Sequence, residues 1–396
     1  DASDTAIPQN VPLTLFDQFN GYVDYSTAGG TLRTSDTDQC AITTSSTGSL
    51  TSAIPNTATI EKAYLLWAHS DLDPDTEVTF EGQTVNADII NKATFGAVPQ
   101  REFYGMISDV TTIIEGISDT TTNIYDFSDL RIDNTNDDVA YCANGTVLGA
   151  WGLMIFYSDP SLPASSIRMY NGFDPQQNTT TSYTLDGFFA IGATGSKTTV
   201  LSWEGDQGLA NNESLSVTTG AGTFTLSGDG DNDGSTVNNP FNSTIFDNTQ
   251  SPVVNNIGVY GIDFDTFDVA SYVSTGDNSI TTNVGVGQDL AILNSVLLKV
   301  PGNLIVGTVF EDINYPGGAG RNLFTSNGIP LEGVTVELYD STNTLIENFR
   351  SETWVKAGYA WYAPNFFAKH GITTATRMDT FKEYREDIEK ELAAII

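Results

Sequence analysis

The sequence predicts an all-β protein: tandem β-sandwich or jelly-roll modules, then a small immunoglobulin-like domain and a C-terminal amphipathic helix. Three observations carry this. Short runs rich in Val, Ile, Thr, Phe and Tyr alternate with clusters of Ser, Thr, Asn and Asp, and the chain holds 36 glycines, the punctuation of strands and turns. Two runs, KAYLLWA at 62–68 and LGAWGLMIFY at 148–157, read as continuous buried strands rather than half-exposed ones. Finally, DVTTIIEG at 109–116 is echoed by DVASYVSTG at 268–276, each followed by a Thr/Asn-rich strand and then a more apolar one, which predicts two related modules.

Along the chain, residues 1–14 read as an extended lead. At its end Val11 and Leu13, continuing to Leu15, form an alternating segment that suits either the first strand of its own domain or a strand donated to another copy; Pro12 is tolerated in both roles because edge strands accept a missing donor. Residues 15–160 form the first sandwich and 161–301 the second. Residues 302–362 hold two strands around a Gly-rich loop. In the tail, 363–396, Met378, Phe381, Tyr384, Ile388, Leu392 and Ile395 recur at helical spacing, with Thr380 and Glu383 placed as a capping box.

Composition excludes several function classes. With 39% hydrophobic and 17% charged residues, the chain of 396 is long enough to bury real cores in two or three domains. A net charge of −34 repels phosphate backbones and anionic headgroups, so nucleic acid and membrane surfaces are poor partners and cations are natural ones. No apolar run is long enough to span a bilayer. The chain opens on Asp1, as removal of a secretion signal would leave it, so an extracellular, cell-surface location is expected. Cys40 and Cys142 are its two cysteines, and in an exported chain such a pair reads as a disulfide. The two histidines, His69 and His370, stand in no zinc spacing, and no GxSxG, phosphate loop or dinucleotide fingerprint occurs, so no catalytic residue is assigned and the chain reads as a non-enzyme.

The sharpest motif is Asp229, Asp231, Asp233 and Gly234, carboxylates at positions 1, 3 and 5 before a turn glycine, which is how a short loop wraps Ca²⁺. The twelfth position is Pro240 rather than Glu, so ligands from elsewhere are needed. Glu204 with Asp206, and Asp263 with Asp265, are the candidates. Alternation places Asp263 and Asp265 on one strand face, with Phe264 and Phe267 expected elsewhere, and adjacent carboxylates repel unless a cation joins them.

The blocks AYLLWA, SDVTTII, WGLMIFYSDP, RMYNGF, WEGDQGLANNESL, FNSTIFDN and YGIDFDTFDV, in that order over roughly residues 15–301, resemble a double β module of large secreted bacterial surface proteins. GTVFEDIN at 307–314, then Gly317, Gly328 and GVTVELYD at 333–340, resembles the opening half of an SdrD B-type or Cna-B-like domain. That resemblance implies export, surface display and Ca²⁺ ligation by Asp312 and Asn314. The ending departs from the family pattern, since only Gly358, Tyr359 and Trp361 stand where its closing strand is expected. Together these features imply a Ca²⁺-stabilised structural or adhesive surface protein, whose partners are its own copies in a filament or a surface or glycan ligand. The alternative is a glycan-binding or glycan-cleaving β-sandwich.

Overall fold

The structure is a computed structural model. It describes residues 6–302 except 97–98, 118–123, 138, 210–212 and 228–238, and the backbone of short strands at 310–311, 329–330, 335–339 and 345–350. Asp1–Leu304 forms one unit and Ile305–Ile396 another. In the second unit Phe310–Glu311 pairs antiparallel with Ile329–Pro330, and Thr335–Tyr339 with Leu345–Arg350. The tail helix expected at 378–395 and the resemblance-based ligands Asp312 and Asn314 lie outside the described residues.

The first unit is nearly all strand. Its first half runs β1 (Val11–Gly21), β2 (Val23–Thr31), β3 (Ser45–Ser49), β4 (Thr59–Ser70), β5 (Glu77–Phe80), β6 (Gln83–Asn86), β7 (Ile89–Phe95), β8 (Arg101–Asp109), α1 (Thr111–Glu115), β9 (Ile124–Ser128) and β10 (Gly149–Ser158). The second runs β11 (Ser165–Gln176), β12 (Thr179–Asp186), β13 (Lys197–Trp203), β14 (Ser214–Thr219), β15 (Gly222–Thr225), β16 (Thr244–Asp247), β17 (Val254–Ile257), β18 (Ile262–Asp268), β19 (Ser279–Val286) and β20 (Ala291–Pro301).

The halves repeat one topology. In the first, an inner sheet β2-β10-β4-β8-β7 faces an outer sheet β3-β9-β5-β6; in the second, the inner sheet contains β11-β20-β13-β18 and the outer is β12-β19-β14-β15. This is the strand order of two jelly rolls. The sequence echo marks equivalent corners: Asp109 Oδ1 accepts the Thr111 amide after β8 and Asp268 Oδ1 accepts the Ala270 amide after β18, while Val110 and Val269 are both buried. One strand crosses between halves. β1, which carries Val11, Leu13 and Leu15, pairs antiparallel with β11 and so edges the second inner sheet, completing seven strands with β16 and β17. Val11–Leu15 is therefore a strand paired within its own chain.

Stacking explains the apolar runs. Trp151 of β10 lies against Phe127 and Phe80 of the outer sheet, with ring centroids 5.5 and 6.1 Å apart, while the opposite face of the same strand meets Phe264 and Leu201 of the seven-stranded sheet. β4 from Ala63 onward and nearly all of β10 are covered on both sides, which is why those stretches do not alternate. The inner sheets approach closely enough to require glycine. A Cβ on Gly105 (β8) would stand 2.3 Å from the ring of Phe173 (β11), itself fully buried and unable to retreat. Gly105→Ala is expected to destabilise by about 1–3 kcal/mol through overpacking, whereas Gly192→Ala, with nothing within 4 Å, stays within about 0.5 kcal/mol; urea midpoints separate the two.

His69, at the end of β4, is fully buried, and its Nε2 accepts the Asp75 amide at 2.9 Å, which requires a neutral ring. Burial pulls its pKa from 6.5 to about 4, the nearby Asp71 opposing and Arg131 assisting. Because the unfolded state binds the proton first, this stability is present above pH 6.5 and is lost as pH falls through 4. Between pH 7 and 4.5, His69→Gln should lose about 2–3 kcal/mol less stability than the parent chain; equal losses in paired urea titrations would show that His69 does not titrate on unfolding.

Candidate metal centre

The end of β13 turns sharply after Trp203. Glu204 sits at φ 76°, in the left-handed region that a glutamate rarely occupies and that costs of order 1 kcal/mol or more. Its amide donates to the Gly261 carbonyl, 3.0 Å away, and its carboxylate is buried with Oε1 lacking a hydrogen-bond partner. Two residues on, the Asp206 amide donates to Asp289 Oδ2 at 2.8 Å, and the Leu290 amide to Asp289 Oδ1 at 2.7 Å, drawing the loop before β20 onto the same spot. Carboxylate oxygens of Glu204, Asp206 and Asp289 lie within 4.8 Å of one another.

Further acids surround the triad. Glu213, at the start of β14, is 3% exposed, and both its oxygens lack a well-formed hydrogen bond. Asp263 packs against the backbone of Gly205, where a Cβ would stand 2.3 Å from its Oδ2, and its Oδ1 accepts the Ser243 amide at 2.7 Å. The Asn239 amide donates to the Gln207 carbonyl at 2.9 Å, leaving a buried Oδ1 without a partner.

Electrostatics follow from this crowding. Burial, then repulsion from Asp206 and Asp289, holds Glu204 far above the usual carboxylate range. Burial and Asp206 do the same to Asp289. Asp206 is pushed to about 6 by burial, against the pull of Arg33. Glu213 is pushed to about 9, by burial and then Asp289 and Asp263, with the Phe241 backbone offsetting only part of it. Arg33 is the nearest counter-charge, with Arg101 acting more weakly on Glu204: the Arg33 Nη1 stands 3.9 Å from Asp206 Oδ1, while its buried guanidinium nitrogens make no hydrogen bond. Buried carboxylates sharing a few ångströms demand protons or a multivalent cation. An all-oxygen set with two-point ligands and an adjoining amide oxygen suits a hard cation.

Of the ligands expected from sequence, Glu204 and Asp206 meet in this centre, joined by Asp289. Asp263 lines it, and Asp265 accepts the Thr244 hydroxyl at 3.2 Å beside it. One correction concerns β18: Phe267 lies on the face of Asp263 and Asp265, in the second module's core, while Phe264 packs between the inner sheets. Residues two and four apart share a strand face, so the odd-numbered positions go together. Asp229, Asp231 and Asp233 lie outside the described residues. Sequence reasoning missed Asp289, Glu213, Arg33 and Asn239. Asp289 did leave a signal, a lone acid just before the mostly apolar, fully buried strand β20.

No family model and no curated protein matches the chain. Among solved structures, it is similar to a β-porphyranase of glycoside hydrolase family 86 from the human gut bacterium Bacteroides plebeius, at 8% identity and a TM-score of 0.21, over 76% of this chain and 38% of the enzyme. The chain thus spans under two-fifths of that enzyme's length. It is also similar to the major capsid protein P2 of bacteriophage PM2, at 10% identity and a TM-score of 0.20, over 70% of this chain and 97% of that protein. At such scores neither protein's activity transfers to this chain.

Proposed function

We propose that this chain is a secreted cell-surface structural or adhesive protein whose stacked sandwiches are locked by Ca²⁺ at Glu204, Asp206 and Asp289. The observation that carries this reading is the burial of the carboxylates: Glu204 is 2% and Asp289 3% exposed, reachable by an ion but not by a polysaccharide, which favours scaffold over hydrolase. Three further features support it. The Cys40–Cys142 disulfide belongs to an oxidising compartment, where millimolar Ca²⁺ fills sites of modest affinity. Both inner sheets are consumed by packing on each other, leaving a rigid block. No helix among the described residues is long and apolar enough to cross a membrane. Partners in this reading are a surface or glycan ligand, or further copies meeting at the edge strands β1 and β17 of the seven-stranded sheet.

Antibody against the folded chain should label intact, unpermeabilised source cells, and the purified protein should release no reducing ends from a polysaccharide panel. Labelling only after permeabilisation, or glycan cleavage that disappears in Glu204→Gln, would overturn the proposal.

A further inference from the structure

Lysine is scarce in this acidic chain, yet two are buried side by side. Lys197 on β13 and Lys299 on β20 are register partners, 6% and 4% exposed. Like charges in register repel, and the fold places one carboxylate between them: Asp24 of β2 pairs with Lys197 Nζ at 2.9 Å and Lys299 Nζ at 2.5 Å. Lys197 also donates to the Tyr25 carbonyl at 2.8 Å and lies 4.1 Å from the centre of the Tyr25 ring. Lys299 has Asp24 alone among its described partners, although an ammonium carries three donors. Two cations against one buried anion leave an excess of one positive charge among the buried groups, the exposed Asp268 of β18 standing opposite Lys197 in register. Burial, and then Lys197, draw the Lys299 ammonium below its ordinary value, with Asp24 opposing.

This excess faces a cleft of about 320 Å³ between the ends of the inner sheets, lined also by Ser52, Ser196, Gln250 and Asp268. The hydroxyls of Ser52 and Ser196 are buried without hydrogen-bond partners, so the wall offers unused donors beside the charge. Asp268 sits exposed at the rim and forms no ion pair with either lysine within 4.0 Å. We propose that the cleft binds an oxyanion, a carboxylate or sulfate group, held by the Lys299 ammonium and the Ser52 and Ser196 hydroxyls. Several converging donors around one excess charge are what such a group takes up. The group has two sources, a free ion or an acidic substituent on a glycan. This inference stands apart from the cation centre and does not rest on the proposed function.

The test is calorimetric titration of the full chain with sulfate and acetate against chloride at equal ionic strength, then with a sulfated and a uronic-acid disaccharide. Saturable binding of at least one probe is expected, tenfold or more weaker in Lys299→Met, which leaves Asp24 and Lys197 as a neutral pair. Ser196→Ala, a change too small to threaten folding, should weaken it about fivefold. Tighter binding of a disaccharide than of its free ion assigns the glycan source; equal binding assigns the ion. No saturable binding overturns the proposal, as does undiminished binding in Ser196→Ala together with stabilisation that merely tracks the salting-out strength of the anion.

Discussion

Ca²⁺ added to chelator-treated protein is expected to raise its melting temperature by about 5 °C or more. An ion bound only by the folded state contributes about 2.7 kcal/mol at a hundredfold excess over its dissociation constant, and for a unit of this size each kcal/mol moves the transition by about 2 °C. Mg²⁺ should do less, because it resists giving up water for a crowded, irregular set of carboxylates. The decisive comparison is the paired variant Glu204→Gln with Asp289→Asn. In chelator it should melt above the parent chain, because two mutually repelling buried acids become neutral; in Ca²⁺ it should melt below, because the ligands are gone. That reversal of order separates an ion site from a hydrogen-bonded polar cluster, which loses stability by the same amount in both buffers. Superimposable parent curves with chelator and with millimolar Ca²⁺ would remove the centre altogether.

Part of this architecture is legible in the amino-acid sequence. The runs at 62–68 and 148–157 announce strands covered on both faces because nothing charged interrupts them after Lys62, and the Asp corner shared by 109–116 and 268–276 announces a repeated module. Partnership across the halves is not legible. β1 reads locally as any edge strand does, and its place in the second inner sheet rests on a long-range antiparallel pairing with β11. The buried acidic cluster is half legible for the same reason. Glu204 and Asp206 stand together in the sequence, and Asp263 and Asp265 share a face by strand period. Asp289 reaches them through the β13–β20 pairing, a long-range contact that local pattern does not encode. Arg33 is beyond sequence altogether, since it enters from the first module, just past β2.

Removing the Cys40–Cys142 disulfide should be the costliest change outside the core. The bridge closes 102 residues, with Cα atoms 5.4 Å apart, and ties the 34–41 loop to the turn before β10. In the chain-entropy account a loop of that length loses about 4–5 kcal/mol of stabilisation when opened, an upper figure, because the denatured chain is not a featureless coil. Local bonds soften the loss. Asn134 Nδ2 donates to the Cys40 carbonyl at 2.9 Å, and the Thr34 amide to the Ala41 carbonyl at 2.9 Å, so the loop keeps part of its shape without sulfur. Cys40→Ser with Cys142→Ser should therefore fold, unfold at a clearly lower urea concentration, and keep the full Ca²⁺ increment, since Glu204, Asp206 and Asp289 all come from outside the bridged segment. An unchanged midpoint would mean that the bridge constrains nothing the fold does not already hold. A lost Ca²⁺ response would mean that the Arg33 loop, released with Cys40, belongs to the ion site.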